Sequence, residues 1–146
     1  MDVEFQDYTI EVKNVMDDRL NAVLAECAGE VVSQTQRNSR VDTGKTKNSF
    51  RYKVNSRKHE AVIGSSYQNA IWEEFGTGEH ALNHDGRKGG WVYATDKPGF
   101  FGKIVGKKPS NYVFTYGKKP TRAFWNAYIS LKDKIINRIQ EALKGM

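Results

Sequence analysis

At 146 residues with a formal net charge of +6, the chain is long enough to bury one core, and one domain is expected. No run of about 18 apolar residues exists, which argues against a membrane-spanning helix. The acidic opening MDVEFQDYTIEV lacks an apolar signal region, so no export is expected, and the single Cys27 cannot form an internal disulfide.

The charge is unevenly placed. Residues 1–36 carry two basic and eight acidic side chains, a net of −6, while the remainder carries 21 basic against nine acidic, a net of +12. A basic chain suits nucleic acid as a partner. A chain acidic at one end and basic elsewhere equally suits head-to-tail association of copies.

Taken in order, Val12, Val15, Met16, Leu20, Val23, Leu24, Cys27 and Val31 keep helical spacing and predict a long amphipathic helix over residues 11–36, with Cys27 buried and inert. The polar run Gln34 to Asn38 is expected to fray. Asp42 or Thr43 can then cap backbone amides, and Gly44 permits a tight turn. Phe50-Arg51-Tyr52-Lys53-Val54 alternates apolar and cationic residues as a half-buried strand does, and residues 61–64 make its hairpin partner.

Tyr67, Ala70, Ile71 and Phe75 fall on one stripe of a short central helix, with Ser65 and Gln68 as a capping box at its start and Gly76 and Gly78 ending it. Residues 76–90 hold five glycines and read as a mobile loop. Residues 91–95 and 112–116 are aromatic and β-branched, so they read as strands. Between them residues 96–111 form a lysine-bearing loop longer than a hairpin turn, which is expected to order against a partner. Thr121 is the expected N-cap of a closing helix over residues 122–144, marked by Phe124, Ala127, Tyr128, Leu131, Ile135, Ile139 and Leu143. Each large residue of that stripe, fully buried, would contribute about 1.5–3 kcal/mol. The expected architecture is α+β: long N-terminal helix, small antiparallel sheet, short central helix, and a long C-terminal helix packed on the sheet.

Catalytic signals are weak. Gly44-Lys45-Thr46 matches the tail of a phosphate-binding P-loop, but Ser39 stands where that motif needs glycine, and the upstream residues are not an apolar strand. Glu79, His80, His84 and Asp85 have metal-ligating chemistry in a glycine-flanked segment that reads as a turn. Ser65-Ser66 lacks the second glycine of a nucleophile elbow. Glu73 and Glu74 are adjacent and point to different sides of a helix. His59, beside Lys58 and Glu60, reads as an exposed loop residue. No enzyme and no cofactor are expected from these residues. Basic residues interleaved with aromatics, as in Arg51-Tyr52-Lys53, leave a non-specific DNA-binding module open as the alternative, with a nuclease using His80 and His84 behind it.

Four motifs in order resemble the tail-completion, or head–tail joining, family of long-tailed bacteriophages. They are Val41-Asp42-Thr43-Gly44 leading to Ser49-Phe50; Tyr67…Ala70…Glu74-Phe75-Gly76-Thr77-Gly78; Gly89-Gly90-Trp91-Val92-Tyr93 followed by Tyr112-Val113-Phe114-Thr115; and Lys119-Pro120-Thr121-Arg122-Ala123-Phe124…Ala127. Thr46 stands where the family usually has leucine, which predicts looser docking of the first turn. Ala123 stands where it often has proline, which leaves entry to the last helix less constrained.

The resemblance implies a structural protein of the virion neck, made in the host bacterial cytoplasm. It implies a ring, commonly of six copies, between the head connector and the tail terminator or tail tube, with no membrane role. Unassembled copies would be monomers, and DNA passing through the ring would meet it without sequence preference. The candidate contact residues are Asp42, Thr43 and Gly44 in the first turn, Arg51 and Lys53 on the first strand, and Glu73, Glu74, Phe75, Gly76 and Thr77 around the central helix end. Lys107 and Lys108 in the long loop and Phe124 on the last helix complete them.

Overall fold

The computed structural model describes residues 9–41, 44–96, 102–106 and 111–144. Helix α1 (Thr9–Asn38) is followed by a single turn, α2 (Lys45–Asn48), and the hairpin strands β1 (Phe50–Asn55) and β2 (Glu60–Ser65). Helix α3 (Gln68–Phe75) leads into a 3-10 turn at Gly78–His80. Strands β3 (Trp91–Thr95), β4 (Lys103–Gly106) and β5 (Asn111–Thr115) and helix α4 (Ala123–Lys144) complete the chain.

Two antiparallel helices form the spine. Cys27, Ala28, Val31 and Thr35 make the buried stripe of α1, and Ala123 and Ala127 are the buried residues of α4. Those small alanines let the helices approach closely at this end. Across the seam Arg138 reaches Glu26 at 2.5 Å and Glu30 at 3.1 Å, and Lys134 reaches Glu30 at 3.5 Å. This register places Lys144 beside roughly residue 20, so the first turns of α1 run on without α4 for about 16 Å. Val15 and Met16 in that overhang are exposed.

Gln34 to Asn38 stay helical rather than fraying: side chains tie this end to itself and to the start of α4, and one of them caps a terminal carbonyl. Asn38 Nδ2 donates to the Ala123 carbonyl at 3.2 Å, Gln34 Nε2 to Asn38 Oδ1 at 2.9 Å, and Ser39 Oγ to the Thr35 carbonyl at 2.7 Å.

The β1–β2 hairpin packs on α1 in the register Phe50↔Ser65 through Asn55↔Glu60. Phe50 is buried and its ring is stacked on Phe124 of α4, with centroids 6.3 Å apart. At the hairpin tip Asn55 Oδ1 accepts from the amides of Arg57 and Lys58. His59 is not a free loop residue: it bonds Asp17 at 3.2 Å and Asn21 at 3.1 Å, tying the tip to the α1 overhang. Gly44 makes the expected left-handed turn (φ 82°), while Asp42 and Thr43 lie outside the described residues. Thr46 docks the turn by accepting a hydrogen bond from Asn69 of α3 at 3.0 Å, supplying a polar anchor where a leucine was expected.

The antiparallel strands divide into two sheets, the β1–β2 hairpin and a three-stranded sheet in the order β3-β5-β4. Central β5 carries the fully buried Val113. β3 and β5 pair as the sequence predicts, from Trp91↔Thr115 to Thr95↔Asn111. β4 is the departure: four residues of the expected long loop form an edge strand, with an irregularity between Ile104 and Gly106. α4 therefore lies along α1 and meets the first hairpin through the Phe50–Phe124 stack.

Candidate functional site

The end of α3 is the junction on which the other parts close. No Ser65–Gln68 capping box forms there; Ser65 Oγ accepts the Tyr67 amide at 3.1 Å, and Tyr67 occupies the N-cap without a side-chain bond. The apolar stripe of α3 is also unlike the expected core stripe. Ala70 is buried, but Ile71 and Phe75 are exposed, as is Trp72 beside them.

Glu73 and Glu74, adjacent on the last turn, hold two different pieces of chain. Glu73, 17% exposed, pairs through Oε1 with Lys118 Nζ and accepts through Oε2 from Thr121 Oγ1 at 2.9 Å. Its backbone carbonyl accepts the Thr121 amide at 2.7 Å. Arg40 joins from just beyond α1, donating to Thr121 Oγ1 at 2.8 Å and to the Lys119 carbonyl at 2.7 Å. Glu74, 12% exposed, accepts the amides of Phe124 and Trp125, both at 3.0 Å, and lies 3.7 Å from Arg122.

Thr121 is therefore not the cap of α4. Its hydroxyl serves Glu73, and the helix is capped from 50 residues away by the Glu74 carboxylate. An anion is favoured at that place, because unpaired amides and the positive end of the helix dipole converge there.

The glycines after α3 have a steric cause. Gly76 (φ 76°) ends the helix, and the chain then runs against the segment after β5. Thr77 donates its amide to the Lys118 carbonyl, and the Lys118 amide donates to Thr77 Oγ1, both at 2.9 Å. A Cβ on Gly78 would lie 2.2 Å from the Tyr116 carbonyl oxygen, and one on Gly117 would lie 2.1 Å from that of Thr77. Within residues 76–90, Thr77 and Glu79 bond through their amides to the carbonyls of Lys118 and Tyr116, and the Glu79 carboxylate accepts the Gly89 amide at 3.0 Å.

Five of the expected contact residues, Glu73, Glu74, Gly76, Thr77 and Phe124, are committed to bonds or packing within the chain. Arg51, Lys53 and Phe75 face solvent, and Arg51 also donates to the carbonyls of Asn48 and Phe50. Lys107 and Lys108 lie outside the described residues. The sequence reading missed the aromatic surface beside the junction. Arg122 (φ 55°) lies between the rings of Phe75 and Trp125, 5.4 Å from each centroid, and Tyr128 sits 6.0 Å beyond Trp125. The signal was present: Trp125, Ile129 and Ile136 form a second apolar stripe on α4, and all three are exposed. Two open clefts, of about 440 and 420 Å³, flank Trp72 and Trp91.

His80 and His84 sit in and just after the 3-10 turn, with His84 at a positive φ of 58°. Among the described residues no group of three or more His, Cys, Asp or Glu side chains is placed to hold a metal ion, and no helix is long and apolar enough to cross a membrane. Burial pushes the Cys27 thiol above its ordinary range, against the smaller opposing pull of Arg138.

Residues 4–76 match the family model described as "Bacteriophage HK97-gp10, putative tail-component". The match covers half of the chain and takes in α1, α2, the first hairpin and α3 through Gly76. No curated protein and no solved structure matches the chain. The chain belongs to the HK97 gp10-like family of bacteriophage tail components.

Proposed function

We propose that this tail component works in the neck of the virion, completing the tail and joining it to the head connector as one subunit of a ring, commonly of six copies. The observation that carries this reading is the family match over residues 4–76, which makes the chain a structural tail protein. The α3–α4 surface supports it: exposed tryptophan and tyrosine side chains around the half-buried Arg122 are residue types that dominate protein–protein interfaces. The junction beneath them is fastened by ion pairs and backbone bonds, which suits a part that must keep its shape. The partners are further copies, the connector protein, and the tail terminator or tail tube protein, with DNA meeting the cationic residues as it passes.

The charge argument narrows in the folded chain. Glu26 and Glu30 are engaged by Arg138 and Lys134 of the same chain, and Asp17 by His59. Attraction between copies then falls to the acidic residues nearer the N-terminus. Deleting the gene from a producing phage should leave filled heads and tails that fail to join, as seen by electron microscopy. Normal infectious particles would end this reading.

A further inference from the structure

We propose that the acidic, aromatic segment of residues 1–8 of one copy docks on the cationic, aromatic end of a second copy. The inference rests on the ring reading and names the contact that would build it.

The receiving end lies where the C-terminus of α1, the turn at α2, the segment 117–122 and the start of α4 meet. Arg40 bonds Thr121 and the Lys119 carbonyl, Asn38 bonds the Ala123 carbonyl, and Thr46 bonds Asn69, so these elements share one end of the molecule. The carboxylates of Glu73 and Glu74 are spent beneath it on Lys118, Thr121 and the α4 amides. Arg37, Lys47 and Lys119 add positive charge around it, and Phe75 and Trp125 flank Arg122 beside them as an exposed platform.

Residues 1–8 read MDVEFQDY: three acids and no base, with Phe5 and Tyr8 among them. That chemistry matches the platform twice, carboxylate to cation and ring to ring or guanidinium.

The same chain cannot supply the segment. Arg37 stands about 42 Å along α1 from Thr9, at 1.5 Å per helical residue. Eight residues span at most about 28 Å when fully extended. The acidic segment and the cationic end therefore meet between copies, and since the two surfaces differ, the contact is head-to-tail. Such contacts close into rings when the rotation allows and otherwise extend into filaments.

A charge-exchange pair tests this in the full chain. One variant carries Asp2→Lys, Glu4→Lys and Asp7→Lys; the other carries Arg37→Glu, Lys47→Glu and Lys119→Glu. Circular dichroism and thermal melting first confirm that both fold. By sedimentation at low salt, the wild-type chain should self-associate and each variant alone should lose about tenfold or more in association constant. An equimolar mixture of the two should recover it, because reversed charges meet again. Three results would each overturn the proposal: wild-type protein that stays monomeric at every ionic strength, a variant that associates as wild type does, or a mixture that gains nothing. A basic-end variant that keeps self-association but loses duplex DNA would identify nucleic acid as the occupant instead. These experiments read self-association, so their failure would leave the neck role to be judged by the gene deletion.

Discussion

Glu74 does for α4 what a serine or aspartate at a helix's own N-cap ordinarily does, but from another helix. Replacing it with alanine leaves the Phe124 and Trp125 amides without their acceptor and should cost about 1–2 kcal/mol in thermal unfolding, with Glu74→Gln closer to wild type. Glu73→Ala should cost more, about 2–3 kcal/mol, because it removes at once the ion pair with Lys118 and the acceptor of the Thr121 hydroxyl at a carboxylate only 17% exposed. Sequence pattern pointed to Thr121 because caps are usually local, and no local signal announces a carboxylate 50 residues away. Cys27 was legible from its stripe alone. Its raised folded-state pKa means the unfolded chain loses the thiol proton first as pH rises. Its contribution to stability is therefore intact below the ordinary thiol range near 8.5 and declines above it. Urea unfolding of wild type and Cys27→Ala across pH 7–10 should show that decline in the wild type alone. Iodoacetamide at neutral pH should label Cys27 far more slowly in the native protein than in urea.

Among the elements, periodicity revealed α1, the first hairpin, β3, β5 and α4, since each carries its own apolar repeat. β4 escaped because Lys103-Ile104-Val105-Gly106 is too short to show a period, and its strand character comes from pairing with β5. The glycines could be marked as turn residues but not ranked, because rank depends on what stands opposite. Gly117→Ala combines a φ of 116° with a Cβ 2.1 Å from the Thr77 carbonyl oxygen, and should cost about 3 kcal/mol or more by breaking the α3–β5 closure. Gly89→Ala meets nothing within 4 Å at a φ of 81° and should cost only the left-handed conformation, about 1–2 kcal/mol. Comparing the two melting temperatures separates steric closure from backbone strain.

For the molecule as a whole, composition announced the charge asymmetry but not how it is distributed in space. Arg138 sits between Glu26 and Glu30 and converts part of the acidic N-terminal third into a seam within one chain. Because that seam is partly wet, Arg138→Ala should lower stability by only about 0.5–1 kcal/mol, less in high salt, as read from melting curves at two ionic strengths.

The same view bears on where the chain could be divided. The family match stops at Gly76, yet the two carboxylates just before it are satisfied by Lys118, Thr121 and the first amides of α4. Phe50 likewise borrows its stacking partner from Phe124. A fragment cut after Gly76 would keep only Arg40, 3.8 Å from Glu73, as a cationic partner at this place, would leave Glu74 without the amides it caps, and would bare the Phe50 ring. The matched half thus leans on the rest of the chain as on a missing wall, and gene fusions or truncations placed at that border should yield protein that cannot stand alone.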